Sequence, residues 1–216
     1  MRRIVLLRHG RTAHNSEGRI QGQLDTPLDE LGLAQAEALG TVFAADPPAK
    51  VVSSDLLRAQ ATAQAICAHV GLPLLLDARL RETYFGDWQG LTGDEVGAGW
   101  PDEFEAWRRH EGHPVGGETP AEVGERARQA ALDHLVDEGT LLLVTHGGTA
   151  RALVGMLTEL PVDQWRRLAP LGNTCWSSLV ESAFGWRLER HNAGLGPLTG
   201  PPTGATDGSP QHPRAF

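Results

Sequence analysis

Two histidines stand in similar surroundings in this chain: His9 in Arg8-His9-Gly10, and His146 in Thr145-His146-Gly147-Gly148, each directly after a short apolar run. A third apolar run, Val51–Ser53, leads into a block that carries Arg58. Gathered together, His9, His146, Arg8 and Arg58 would form a small, concentrated positive site in a chain whose net charge is −8. Helices starting after Gly147 and near Ser54 would add backbone donors and favourable dipole ends. Such a combination suits a tetrahedral dianion, a phosphate group. Neutral imidazole is a good nucleophile near pH 7, and it can carry a transferred phosphoryl group when cations absorb the charge on the equatorial oxygens. Gly10 and Gly147 would let backbone approach closely with no side chain in the way. The remaining need is a proton donor for the departing alkoxide. Glu82, in Arg79-Leu80-Arg81-Glu82, is the best-placed acid, and a neighbouring phosphate dianion would favour its protonated form until the proton is needed.

Short apolar runs that alternate with helical patterns must position these groups. Arg3–Leu7 is continuously apolar after its first residue and suits a strand buried on both faces. A helix is expected over Asp29–Ala45, with Leu31, Ala34, Ala38, Val42 and Ala45 as its buried stripe and Pro47-Pro48 as its stop. Val51–Ser53 reads as a strand, followed by a helix to Val70 that takes its N-cap from Ser53-Ser54-Asp55 and closes at Gly71. Leu74–Leu76 is a further strand. Thr119-Pro120-Ala121-Glu122 is a capping box with Pro at the first helical position, and Val123, Ala127, Ala131 and Leu135 recur behind it until Gly139. Leu141–Val144 is the most strand-like run in the chain and leads through His146 into a helix over Thr149–Leu160. Cys175–Val180 and Trp186–Arg190 flank Phe184-Gly185 and read as an antiparallel hairpin at a sheet edge. This alternation predicts an α/β fold: a three-layer α/β/α sandwich on a mostly parallel sheet with an antiparallel edge strand. Ligands of such sheets bind beyond the carboxyl ends of the strands, where His9, Arg58 and His146 fall. Residues 92–117 fit neither period and are expected to form a small helical cap insertion over one end of the sheet.

Composition narrows the class. With 216 residues, 40% of them hydrophobic and 21% charged, one domain over residues 1–194 can bury its own core without staples. In residues 195–216, nine of 22 are Gly or Pro, too little apolar content to offset ordering entropy, so this tail is expected to be disordered. Two cysteines, Cys67 and Cys175, make neither a zinc framework nor a disulfide scaffold and read as small core residues. No metal is expected. An acidic chain without basic runs argues against nucleic acid or an anionic membrane as partner. No apolar stretch is long enough for a signal peptide or a membrane span, so the expected location is the cytoplasm.

Arg8-His9-Gly10-Arg11-Thr12-Ala13-His14-Asn15 resembles the signature of the histidine phosphatase superfamily, to which cofactor-dependent phosphoglycerate mutases belong. The resemblance continues through Gln21-Gly22, Asp25-Thr26-Pro27-Leu28, Ser53-Ser54-Asp55-Leu56-Leu57-Arg58-Ala59, Leu80-Arg81-Glu82, Gly116-Gly117-Glu118-Thr119 and Thr145-His146-Gly147-Gly148, so it spans about residues 3–190. It implies His9 as the phosphorylated nucleophile, Arg8, Arg58 and His146 as the phosphate pocket, and Glu82 as general acid and then base. It further implies Asn15, Gln21, Gly22 and the Gly147 amide as supporting contacts, no cofactor, a small phosphate ester as substrate, and a homodimer. The wording Glu82-Thr83-Tyr84-Phe85-Gly86-Asp87-Trp88-Gln89-Gly90 resembles the phosphatase branch. Together with Gln21-Gly22-Gln23-Leu24-Asp25-Thr26 and Gly172-Asn173, it is similar to actinobacterial phosphatases of a sugar-glycerate monophosphate.

Two other readings compete: a mutase that returns the phosphoryl group to substrate, and a catalytically idle phospho-ligand binding module. The second expects one of His9, Arg58, Glu82 or His146 to be replaced, and none is. His14, His69, His134 and His212 are expected on the surface. His110 and His113 read as a surface loop that could line the cap, and Trp88, Trp100 and Trp107 as packing rather than a sugar platform.

Overall fold

Strand β1 (Arg2–Arg8) sends alternate side chains into two different cores: Ile4 and Leu6 into one, Val5 and Leu7 into the other. This is the burial that a parallel strand covered on both faces requires. The computed structural model describes residues 1–109 and 111–194. His110, expected in a surface loop, and residues 195–216, expected as a tail, lie outside the described residues. Strands β2 (Lys50–Ser53), β3 (Leu74–Leu76), β4 (Gly139–Thr145), β5 (Trp176–Ser182) and β6 (Gly185–Ala193) join β1. Among the described residues they make a six-stranded sheet in the order β3-β2-β4-β1-β5-β6. The first four pair in parallel, whereas β5 pairs antiparallel with both β1 and β6. The reversed strand therefore lies one in from the edge, and β6 forms the edge itself.

Helix α1 (Ala13–Glu17) is a short turn capped by Thr12. Helices α2 (Glu30–Ala45) and α3 (Leu57–Val70) cover one face of the sheet through Leu39, Phe43, Ala59, Ala63 and Ile66. In chain order between β3 and α6, α4 (Gly93–Gly99) and α5 (Pro101–Arg108) supply the helices expected within residues 92–117. Their small core joins Phe104 and Trp107 to the fully buried Trp88, with ring centroids 5.9 and 5.7 Å from Trp88. Helices α6 (Pro120–Asp133) and α7 (Gly147–Leu157) cover the opposite face through Ala127, Ala131, Ala150 and Leu153. The architecture is the three-layer α/β/α sandwich. Among the described residues, no helix is long and apolar enough to cross a membrane.

Three expectations are corrected. The buried face of α2 is Gly32, Gln35, Ala36, Leu39, Gly40 and Phe43, while Leu31 and Val42 are exposed. The packing is set by backbone proximity: a Cβ at Gly32 would collide with the Arg11 carbonyl, and one at Gly40 with the His69 ring. Helix α3 is not capped by Ser53, Ser54 or Asp55; its Leu57 amide donates to Asp25 Oδ1 at 2.7 Å, from a segment 32 residues earlier. Helix α6 keeps its capping box of Thr119 and Glu122 but ends at Asp133 rather than near Gly139. A 3₁₀ stretch over Val162–Arg167 follows α7 and had no sequence counterpart.

Candidate active site

Strand register brings the site together. Arg8 of β1 is level with Thr145 of β4, and Ser53 of β2 with Val144, so His9, His146 and Ser54 leave the sheet side by side. The rings of His9 and His146 lie edge to face with centroids 5.1 Å apart. Both residues are buried.

His9 Nδ1 is 2.7 Å from the Gly10 carbonyl oxygen, which can only accept, so Nδ1 carries the proton and Nε2 keeps its lone pair. The Arg58 Nε–H donates to that lone pair at 3.2 Å. Burial, followed by the charges of Arg58 and Arg8, pushes the His9 pKa well below its usual 6.5. The ring is neutral at physiological pH. His146 is depressed in the same way, first by burial and then by Arg58, His9 and Arg8. Its Nε2 lies 2.9 Å from Ser54 Oγ, and its buried Nδ1 has no hydrogen-bond partner among the described residues. An orphaned buried nitrogen of this kind is what a hydrogen-bonding ligand would satisfy.

Arg58, in the first turn of α3, is 1% exposed, and backbone carbonyls hold it there: Leu24 on Nη1 and Gly22 on Nη2, each at 2.7 Å. Burial pushes its pKa down to about 10, which leaves it charged at neutral pH. The Arg8 Nη1 donates to the Leu171 carbonyl at 2.6 Å. Thr12 is a hub for the next two predicted residues: its hydroxyl is 3.1 Å from Asn15 Oδ1 and 2.9 Å from Gln21 Oε1. Thr26 also donates to Gln21 Oε1, which leaves the Gln21 amide nitrogen as its outward donor.

Glu82 follows the 3₁₀ turn Ala78–Leu80. Its carboxylate accepts from the Thr83 amide at 2.8 Å and from the Gly148 and Thr149 amides at 3.1 Å each. The α7 N-terminal donors expected to hold phosphate thus hold Glu82 at residues 148 and 149. The glycine that this contact requires is Gly148, where a Cβ would come within 2.6 Å of Glu82 Oε1; one at Gly147 would make ordinary contact with Arg8 at 3.7 Å. Gly10 serves packing as well, since its Cβ would meet the Gly32 carbonyl at 2.6 Å.

One cavity of about 840 Å³ is lined by Arg8, His9, Asn15, Gln21, Gly22, Arg58, Glu82 and Gly147, with His146 against His9 behind them. Its lining also includes Trp107, Arg108, Arg109 and His113 from the segment after α4, Arg151 of α7, and Arg166, whose Nη1 donates to the Arg109 carbonyl at 3.2 Å. Among the described residues, no group of three or more His, Cys, Asp or Glu is arranged to hold a metal ion. Three residues to which the sequence assigns no contact within the site support this set. Ser54 bonds His146, Thr62 accepts from the Gly10 amide at 3.0 Å, and Asn173 Nδ2 donates to the carbonyls of His9 and Gly10 and to Asn15 Oδ1. Each is a buried polar residue, Ser54 just beyond β2, Thr62 in α3 and Asn173 in the turn before β5, and its burial is a signal that only the fold reveals.

The chain is 42% identical over 215 residues to a glucosyl-3-phosphoglycerate phosphatase of Mycolicibacterium vanbaalenii, covering 89% of this chain and 95% of that one. It is 35% identical over 202 residues to a probable phosphoglycerate mutase GpmB of Yersinia pestis, covering 88% and 92%. Among solved structures, a mycobacterial glucosyl-3-phosphoglycerate phosphatase in complex with VO3 superimposes with a TM-score of 0.84 at 42% identity, over 89% of this chain and all of the other. The family model described as histidine phosphatase superfamily (branch 1) matches residues 4–194. Likeness in sequence and in fold over 89% of the chain carries the conclusion that the paired imidazoles suggest: the chain belongs to the histidine phosphatase superfamily.

Proposed function

We propose that this protein hydrolyses a phosphate monoester through a phosphohistidine at His9, with glucosyl-3-phosphoglycerate as its substrate and no metal in the reaction. The observation that carries the chemistry is the pairing at His9: Nδ1–H on the Gly10 carbonyl, and an Nε2 lone pair facing the Arg58 guanidinium inside the cavity. In the first step Nε2 forms a bond to phosphorus as the ester P–O bond breaks, and the leaving alkoxide takes a proton from the Glu82 carboxyl. In the second step water gives a proton to the Glu82 carboxylate as its oxygen bonds phosphorus. The P–N bond then returns its electron pair to Nε2, and inorganic phosphate departs. Arg8, Arg58 and His146 hold the equatorial oxygens, and Asn15, Gln21, Gly22 and the Gly147 amide support them.

The substrate reading rests on the relatives named for that activity and on the size of the cavity, which leaves room beyond a bound phosphate for a sugar-sized group. On the same reading, residues 1–194 are one catalytic domain and 92–117 its cap, in agreement with the extent of the family match. The likeness to a probable mutase favours one second reading, transfer of the phosphoryl group back to substrate. The test has two arms. Protein quenched during turnover is expected to carry an acid-labile, base-stable phosphate that His9→Ala lacks; its absence from the parent rejects the mechanism. Glucosyl-3-phosphoglycerate, 3-phosphoglycerate and α-ribazole phosphate are then ranked by kcat/KM in excess chelator. Isomerisation of 3-phosphoglycerate without phosphate release would mark a mutase, and loss of activity in chelator would reject the metal-free reaction.

A further inference from the structure

The backbone that carries Glu82 is gripped by one side chain that no part of the mechanism uses. Arg126, on α6, donates through Nη1 to the carbonyls of Arg79 at 2.6 Å and Arg81 at 2.7 Å, and through Nη2 to the carbonyl of Glu82 itself at 3.0 Å. The same guanidinium is anchored by Glu118, whose oxygens accept from Nε at 2.8 Å and Nη2 at 2.9 Å. Glu118 then continues along the chain after Glu82: its carboxylate accepts from the Tyr84 amide at 2.8 Å, and its own amide donates to the Tyr84 carbonyl at 2.9 Å. Gln23 Nε2 adds a second donor to the Glu82 carbonyl at 3.1 Å. The segment has no regular structure between its 3₁₀ turns, so nothing in its own ladder fixes the direction of the Glu82 side chain. A planar fork with five donors can bind several carbonyls and a carboxylate at once, which an ammonium cannot do.

We propose that Arg126, anchored by Glu118, is a positioning residue for Glu82: it fixes the backbone from which the carboxylate reaches the Thr83, Gly148 and Thr149 amides, and so governs proton delivery to the leaving group. This inference rests on the general-acid reading of Glu82 given above. It deepens that reading, because Arg126 lies outside the cavity lining and reaches Glu82 through the backbone of residues 79–82, while its charge also bears on His146 from a distance.

A structural role and a positioning role separate by leaving group. An alkyl phosphate needs its departing oxygen protonated, whereas p-nitrophenyl phosphate releases a stable phenolate and does not. The readout is kcat/KM, which reports transfer to His9 and not the hydrolysis that follows. Glu82→Gln is expected to lower kcat/KM for the alkyl ester by roughly a hundredfold while p-nitrophenyl phosphate falls far less. Arg126→Met is expected to show the same selectivity, with a loss of roughly tenfold or more on the alkyl ester alone, and the double variant to lose nothing beyond Glu82→Gln. If Arg126→Met fails to fold, Arg126→Lys keeps the charge but not the fork, and the same ratio between esters is read from it. Equal losses on both esters, or none on the alkyl ester, overturn the inference while a selective Glu82→Gln keeps the general-acid reading. A Glu82→Gln variant without leaving-group selectivity overturns both.

Discussion

A nucleophilic imidazole must be neutral and must aim one nitrogen at its target, and at His9 two different contacts meet these needs. The Gly10 carbonyl fixes which nitrogen carries the proton, while burial beside two guanidiniums disfavours the imidazolium. In ¹⁵N NMR of the unliganded protein, His9 and His146 are therefore expected to remain neutral well below pH 6.5. Arg58→Met is expected to move the His9 titration part of the way back, since burial, the larger cause, stays in place. A midpoint near 6.5 for His9 in the parent protein would contradict this account. Glycine at 148 admits a second residue-level test. Gly148→Ala forces Glu82 off the α7 amides, and a displacement of about 1 Å at a reacting group costs on the order of a hundredfold, so kcat should fall that far with the fold intact. A Gly148→Ala enzyme with parental kcat would show that Glu82 has no need of those amides. His9 and His146 are legible in the sequence because each stands just past a strand end, whereas Arg58 inside α3 and Glu82 beyond a 3₁₀ turn are legible only through the motifs around them. The sequence did not separate Gly147 from Gly148, or show that Gly10 serves packing, because a glycine's reason lies in what its absent Cβ would strike.

At the scale of elements, what could be read ahead depended on whether a signal was local. Thr119-Pro120-Ala121-Glu122 specifies its own helix start within four residues and is found there with both reciprocal bonds. Thr92 and Glu95 form the same box at the start of α4, a signature open to view but unused within a segment that fitted neither period. The cap of α3 was beyond local reading, for its acceptor, Asp25, is distant in sequence. The stripe on α2 differs for another reason: apolar type does not equal burial here, because Gly32 and Gly40 bring the helix against the Arg11 carbonyl and the His69 ring and leave Leu31 outside. Urea unfolding checks this directly. Leu39→Ala, which empties a fully buried site, is expected to cost about 2–5 kcal/mol, and Leu31→Ala less than about 1 kcal/mol. Equal costs would restore the stripe read from sequence.

Across the whole molecule, the site is a neutral-histidine, arginine-rich pocket inside a chain of net charge −8, and this arrangement has a consequence for stability. Native His9 and His146 bind protons only well below pH 6.5, whereas in the unfolded chain both titrate near that value. Between 6.5 and the lowered native values the unfolded state holds more protons, so stability is complete above this window and falls as pH drops through it. Each histidine contributes a slope of up to about 1.4 kcal/mol per pH unit, roughly 3 kcal/mol for the pair, set against a total stability on the order of 5–15 kcal/mol. Carboxylates held low by partners, such as Asp55 on Arg81, protonate in the unfolded chain only near pH 4, so they add to the loss at more acid pH and leave the range from 6.5 to 5 to the histidines. The urea midpoint is accordingly expected to drop steeply from pH 7 to pH 5, and His146→Asn to flatten that dependence by about one proton's worth. Saturating inorganic phosphate should raise the midpoint by mass action, because it binds the folded pocket of Arg8, Arg58, His9 and His146 and not the unfolded chain. A midpoint that does not change between pH 7 and 5 would mean that the imidazoles accept protons in the folded protein, and the argument for a lone pair waiting on His9 would fail with it.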